Sequence, residues 1–196
     1  MRLKGVDFDV EEQRKAWEGE LSQIEAKKIV FLDESGSNIN MTRMYGRAKD
    51  KNRVVDNAPF SKPQNITILS SIRLDGTTKY VIYQGGTTGD RFLTYLKESL
   101  IPTLHEGDIV VMDNLRTHHI AEVRQIIEGA KCQLLYLPPY SPDYNPIEMM
   151  WSKVKSVLRK LKARTIESLK EAIIEAMSMV TPDDCLGWFK KAGISR

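Results

Sequence analysis

The sequence predicts a mixed α/β fold, with a central five-stranded mixed sheet flanked by helices. Three observations predict it. Two continuous apolar runs, Ile29-Val30-Phe31-Leu32 and Ile109-Val110-Val111-Met112, have strand length and suit strands covered on both faces. Between them, residues 65–74 and 79–84 are rich in β-branched side chains and flank Asp75-Gly76, a strong hairpin signal. Beyond them, Ile147, Met150, Trp151, Val154, Val157, Leu158 and Leu161 recur at helical spacing.

The elements follow in order. Residues 9–26 read as a polar packing or linker helix, with Val10, Gln13, Arg14, Trp17, Leu21 and Ile24 near one face. Residues 28–33 form the first strand. Residues 35–63 carry Gly, Asn, Arg, Lys and Pro, and predict an irregular excursion with a short strand at 53–55. The hairpin of 65–74 and 79–84 ends at Gly85-Gly86. Residues 88–104 predict a helix that Pro102 ends or kinks. Residues 108–113 form the second apolar strand, 120–128 a short helix and 132–137 a last short strand. The Pro-rich turn 136–146 leads into the long helix. A second helix covers 165–180, with Thr165 as its cap and Glu167 in its first turn. Thr181-Pro182-Asp183 opens a final short helix. The first strand and 108–113 are joined through other elements, so they can be parallel neighbours. This is the element order of an RNase H-like fold. The domain reading is a leading helix or linker over 1–27 and one catalytic unit over 28–196.

Composition narrows the function classes. The 196 residues are 41% hydrophobic and 28% charged, as in an ordinary globular protein. No run approaches the roughly 18 apolar residues of a membrane span, and the N-terminus lacks an apolar signal core. No membrane partner is expected, and the cytoplasm is the expected compartment. Cys132 and Cys185 lie in unrelated contexts and suggest neither a disulfide framework nor a zinc site. The net charge of +3 says little, but its distribution says more. Residues 153–164 hold six Lys/Arg and no acid, whereas 7–25 hold seven acids and two basic residues.

Chemistry concentrates in three acids. Asp33 and Asp113 end the two apolar runs, so parallel pairing would set two carboxylates about 5 Å apart at neighbouring strand ends. Glu148 lies in the first turn of the long helix, just outside its apolar stripe and in line with Ser152, Lys155 and Arg159. Carboxylates suit Mg²⁺ or Mn²⁺, and metal held by acids at a sheet edge suits phosphodiester cleavage. Each acid alone also reads as a turn or first-turn residue. Asp143 is the rival third ligand, in a turn-rich setting. Glu34 would point to the opposite sheet face. Trp151, Met149 and Met150 read as core. The basic face below Glu148 fits phosphate contacts or plain solvated surface.

Three segments together resemble the catalytic domain of the DDE transposases of the mariner superfamily, in particular the bacterial insertion-sequence branch. They are Phe31-Leu32-Asp33-Glu34-Ser35-Gly36, Val111-Met112-Asp113-Asn114 with His118, and Leu137-Pro138-Pro139-Tyr140-Ser141-Pro142-Asp143-Tyr144-Asn145-Pro146-Ile147-Glu148 followed by Trp151 and Lys155. Thirty-four residues separate Asp113 from Glu148, an interval typical of that group. Tyr45-Gly46-Arg47-Ala48 resembles the segment that follows the first strand there. The resemblance implies Asp33, Asp113 and Glu148 as catalytic acids and metal ligands, with Asn114 and His118 in support. It implies two Mg²⁺ or Mn²⁺ ions per site, cleavage and strand transfer at transposon ends, and a homodimer on DNA. Arg47, Lys155, Arg159 and Lys162 are the candidate DNA contacts. Relatives usually carry helix-turn-helix modules in front, and the 27 residues before position 28 are too few for one. A separate helix-turn-helix chain is the expected supplier of end recognition, and a bacterial nucleoid the expected setting. The alternatives are a resolvase or RNase H-type nuclease, and an inactive DNA-binding or regulatory remnant.

Overall fold

The computed structural model describes residues 7–43, 45–48, 54–57, 59–60, 63–113 and 121–194. Helix α1 (Asp7–Leu21) precedes strands β1 (Ile29–Asn38), β2 (Asn65–Arg73) and β3 (Thr78–Gln84). Helix α2 (Gly89–Tyr95) continues through a wider turn and a tight 3₁₀ turn to Thr103. Then come β4 (Ile109–Met112), α3 (Ala121–Gly129), β5 (Gln133–Tyr136), α4 (Pro146–Leu161), α5 (Ile166–Ser178) and α6 (Pro182–Lys191). The sheet order is β3-β2-β1-β4-β5. The β1, β2 and β3 pairings are antiparallel, while β4 runs parallel to both β1 and β5. This is the mixed five-stranded sheet flanked by helices that the sequence predicts. Val54 and Val55 form no strand, and Arg53 lies outside the described residues.

Alternation along the strands divides the core in two. Ile29, Phe31, Ile109 and Val111 face one side and pack with Ile147, Met150, Trp151 and Val154 of α4 and with residues of α5 and α6. Val30, Leu32, Val110 and Met112 face the other side and pack with Phe92, Leu96, Val123 and Ile127. Phe31 meets Phe189 of α6 edge to face, with ring centroids 5.5 Å apart. Caps fix the helices of the first layer. Thr165 Oγ1 accepts from the Ser168 amide at 3.1 Å, as expected of that residue, and Thr181 caps α6 in the same way with Asp184.

One boundary differs from the sequence reading in a way that matters for the site. The first strand does not end at Asp33 but runs on to Asn38. Glu34 to Asn38 look like loop residues, but β2 offers them a full ladder, from Glu34↔Leu69 to Asn38↔Asn65. Backbone pairing outweighs the low strand preference of Ser35, Gly36 and Ser37.

Candidate active site

Register places the first two acids. Ile29 through Leu32 pair with Ile109 through Met112, and β4 then stops while β1 continues. Asp33 and Asp113 are therefore the next pair along, both on the face of Phe31 and Val111. That is the face covered by α4, whose first turn carries Glu148. The three acids line one cavity of about 500 Å³, with Pro138 to Pro142 and Asn145 as its wall. Asp33 thus sits within a strand rather than at its end, while Asp113 follows the end of β4.

Asp33 is the buried member, at 7% exposure. Its Oδ1 accepts from the Glu34 amide at 2.7 Å, and its Oδ2 accepts from the indole N–H of Trp151 at 3.0 Å. Those two donors orient the carboxylate without neutralising it. Among the described residues no Lys, Arg or His forms an ion pair with Asp33 or with Glu148. Burial pushes the Asp33 carboxyl up to about 7, helped by the negative charges of Glu148 and Asp113 and opposed by the two hydrogen bonds. The site concentrates negative charge and supplies hard oxygen donors, which is the donor chemistry of Mg²⁺ and Mn²⁺. The acids line an open cavity rather than close on one another. No three of His, Cys, Asp or Glu among the described residues already enclose an ion-sized point. The donor set fits the metal, and the open geometry leaves room for water and a phosphate as further ligands.

Other expected residues fall in several places. Asn114 and His118 lie outside the described residues. Asp143, the rival ligand, is turned away from the acids and chelated by Arg14 of α1 at 2.6 and 3.0 Å. Glu34 is on the far face, as alternation requires, and accepts from Thr87 Oγ1, which in turn contacts the Tyr83 hydroxyl. Three of the six basic residues of 153–164 serve the fold. Lys153 pairs with Asp184 and Lys162 with Asp56, while Arg164 donates to the carbonyls of Ile39 and Met41. Lys155, Arg159 and Lys160 have no ion pair among the described residues. Arg159 and Lys160 line a cavity of about 320 Å³ with Arg43, Tyr45 and Ser156. Arg47 lines a cavity of about 440 Å³ that shares Arg43 and Tyr45 with it.

Two residues gain a role that the sequence hides. Trp151 reads as core from its place in the apolar stripe, yet its N–H is the tether of Asp33. Asn145 sits one residue before α4, is 4% exposed, lines the acid cavity and has a buried Oδ1 that accepts no hydrogen bond from the described residues. No periodicity signals either. The indole gains its function only from Asp33 of β1, 118 positions away in sequence and 3.0 Å away in space.

A family model described as "DDE superfamily endonuclease" matches residues 28–170. Among solved structures, the chain is similar to the Mos1 mariner paired end complex with Mn, at TM-score 0.76 and 18% identity, covering 97% of this chain and 61% of that one. It is similar to the catalytic domain of Mos1 mariner transposase at TM-score 0.70 and 17% identity, covering 98% and 92%. It is also similar to the Mos1 Strand Transfer Complex at TM-score 0.74 and 16% identity, covering 98% and 61%. The chain thus spans about three fifths of the chains in the two complexes, and at these identities the likeness is one of fold. No curated protein matches the chain. No helix among the described residues is long and apolar enough to cross a membrane.

Proposed function

The chain belongs to the DDE superfamily endonucleases, and from that premise we propose that it is the catalytic unit of a transposase, cutting and joining DNA at transposon ends. One observation carries the reading: Asp33, Asp113 and Glu148, far apart in sequence, line one cavity in which buried Asp33 has no cationic partner among the described residues. Asp33, Asp113 and Glu148 would hold two Mg²⁺ or Mn²⁺ ions. Bound there, the metal supplies activation of the attacking water or 3′-hydroxyl and stabilisation of the leaving oxygen.

The chain's own residues do the rest. Trp151 and the Glu34 amide fix the direction of the Asp33 oxygens. The wall from Pro138 to Pro142 limits the cavity on one side and restricts how a phosphodiester can enter. Arg47, Lys155 and Arg159 contact backbone phosphates and position the duplex without reading its sequence. Lys162 is the weaker candidate, because Asp56 already holds its ammonium. The catalytic unit covers 28–196, with 1–27 as a leading linker segment that contains α1. The partners are transposon-end duplex, target DNA, a second copy of the chain and a separate helix-turn-helix chain, in the cytoplasm of a bacterium carrying an insertion sequence.

A nicking assay tests the reading. With Mn²⁺, the chain is incubated with duplex carrying transposon ends, alone and with a helix-turn-helix partner. Cleavage by wild type that Asp113→Ala abolishes is expected. Equal cleavage by the variant would remove these acids from the chemistry, and no cleavage under either condition would leave an inactive DNA-binding remnant.

A further inference from the structure

We propose that Arg14 is a positioning residue for the active site: from α1 it fixes segment 141–145, and through it the first turn of α4 that carries Glu148. The inference rests on the reading of the three acids as a metal site, and it extends the working unit beyond the family match, which begins at residue 28.

Arg14 directs its whole guanidinium at one short segment. Nη1 donates to Ser141 Oγ at 2.8 Å and to Asp143 Oδ1 at 3.0 Å, and Nη2 donates to Asp143 Oδ2 at 2.6 Å. The guanidinium carbon also lies 4.2 Å from the centroid of the Tyr144 ring. Glu18, one turn further along α1, accepts from the Tyr144 hydroxyl. The two-pronged bond to Asp143 has the fork geometry that only arginine supplies. Trp17, 4% exposed, and the partly buried Leu21 and Ile24 anchor α1 to the core beside these contacts.

What the segment does gives those contacts their consequence. Ser141, Pro142 and Asn145 line the acid cavity, and Asn145 directly precedes Pro146, the first residue of α4. Glu148 lies three residues after Asn145 and donates its amide to the Asn145 carbonyl at 3.2 Å. Tyr140, just upstream, holds a left-handed backbone with φ of 55° and is 87% exposed. A non-glycine residue in that region costs about 1–3 kcal/mol and persists only where its surroundings hold it. Ser141 Oγ donates to the Pro139 carbonyl across that residue while it accepts from Arg14. The internal hydrogen bonds of the segment set its local shape, and Arg14 of α1 ties that shape to the rest of the fold. The salt bridge itself is surface-exposed, at 28% and 58% for the two side chains, so it adds little to global stability. Its effect is local, on where Glu148 stands.

The test compares wild type, Arg14→Ala and Arg14→Lys by three measurements. Hydrogen exchange reads the amides of Tyr144, Asn145 and Glu148, which bond to Ser141, Pro142 and Asn145. In Arg14→Ala they exchange about tenfold faster, while the amides of β1 and β4 are unchanged. Calorimetric titration with MnCl₂ alone shows affinity weakened roughly tenfold. Cleavage at saturating Mn²⁺ loses about tenfold in kcat with KM for duplex unchanged. Arg14→Lys falls between, since it keeps the charge and loses the fork. Unchanged exchange and Mn²⁺ affinity in Arg14→Ala would overturn the inference, as would faster exchange with wild-type Mn²⁺ affinity. The first two measurements need no DNA. A wild type that cleaves nothing would therefore sink the nuclease reading and leave Arg14 to be judged on exchange and metal affinity.

Discussion

Two buried aspartates, Asp108 and Asp33, stand at opposite ends of the paired run of β1 and β4, and the two are treated in opposite ways. Asp108, just before β4, is 3% exposed and forms a buried ion pair with Arg73 of β2; it also accepts from the His105 amide at 2.6 Å. Burial raises its carboxyl, but Arg73 and the His105 amide more than offset this and hold it below the ordinary range. Asp33, next to Asp113 at the other end, is nearly as buried and receives two neutral donors and two negative neighbours. One sheet therefore carries a buried carboxylate with a cationic partner and a buried carboxylate without one among the described residues. The first closes the bottom of the sheet. The second is suited to a cation from outside, and the fold gives up some stability to leave that place open.

The largest effects should come from exchanging the two situations. Asp33→Asn is expected to lower cleavage at least about a thousandfold while raising the stability of the metal-free protein at neutral pH. Arg73→Met should do the reverse. It leaves Asp108 buried without its cation, costs about 3–5 kcal/mol in urea unfolding, and leaves the site chemistry of the folded fraction intact. If both substitutions destabilised equally, the two acids would not differ in kind.

The pH dependence of stability sharpens the contrast. The folded Asp33 carboxyl, near 7, lies above its ordinary 3.8. Between those values the folded chain keeps a proton that the unfolded chain has released. This contribution is fully present below pH about 4 and is lost as pH rises through about 7, in total on the order of 4 kcal/mol. Asp108 has the opposite sign, because its folded carboxyl is lowered. Its stabilisation is present above the ordinary carboxylate range and lost only as pH falls below it. Urea unfolding from pH 4 to 8 without metal should show the first loss, and Asp33→Asn should flatten it. A flat wild-type curve would deny that Asp33 is raised.

Smaller effects follow at the tether and at the surface. Trp151→Phe removes the indole donor. It should raise the Asp33 carboxyl further, slow cleavage about tenfold and weaken metal binding, with a stability change of about 1 kcal/mol. Lys155→Ala with Arg159→Ala should leave both acids untouched and reduce the salt slope of DNA binding by about 0.9 for each phosphate that is no longer neutralised. An unchanged slope would return that face to ordinary solvated surface.

Much of this was legible in the chain because the strands are continuous apolar runs and the helix stripe is regular. The separation of the two runs in sequence permits their parallel pairing, and that pairing brings Asp33 beside Asp113. The misreadings share a cause. Ser35, Gly36 and Ser37 look like the start of a loop, and become strand only because β2 pairs with them. Residues 88–104 read as one helix, but change pitch after Tyr95 and again beside Pro102. Arg14 and Trp151 reveal their roles only through partners 127 to 129 and 118 positions away. Local pattern carries no signal for such contacts. A carboxylate carries its chemistry in its residue type, whereas Trp151 and Arg14 carry no mark of the residues that they position.

The most direct measurement is a ¹³C NMR titration of the aspartate carboxyl carbons from pH 4 to 9, with and without saturating Mg²⁺. Without the ion, the Asp33 carboxyl should titrate near 7. With it, Asp33 should remain ionised throughout, because the ion then takes the place that Arg73 fills for Asp108. Titration near the ordinary 3.8 without Mg²⁺, or a midpoint that Mg²⁺ does not move, would contradict the assignment of these acids as a metal site.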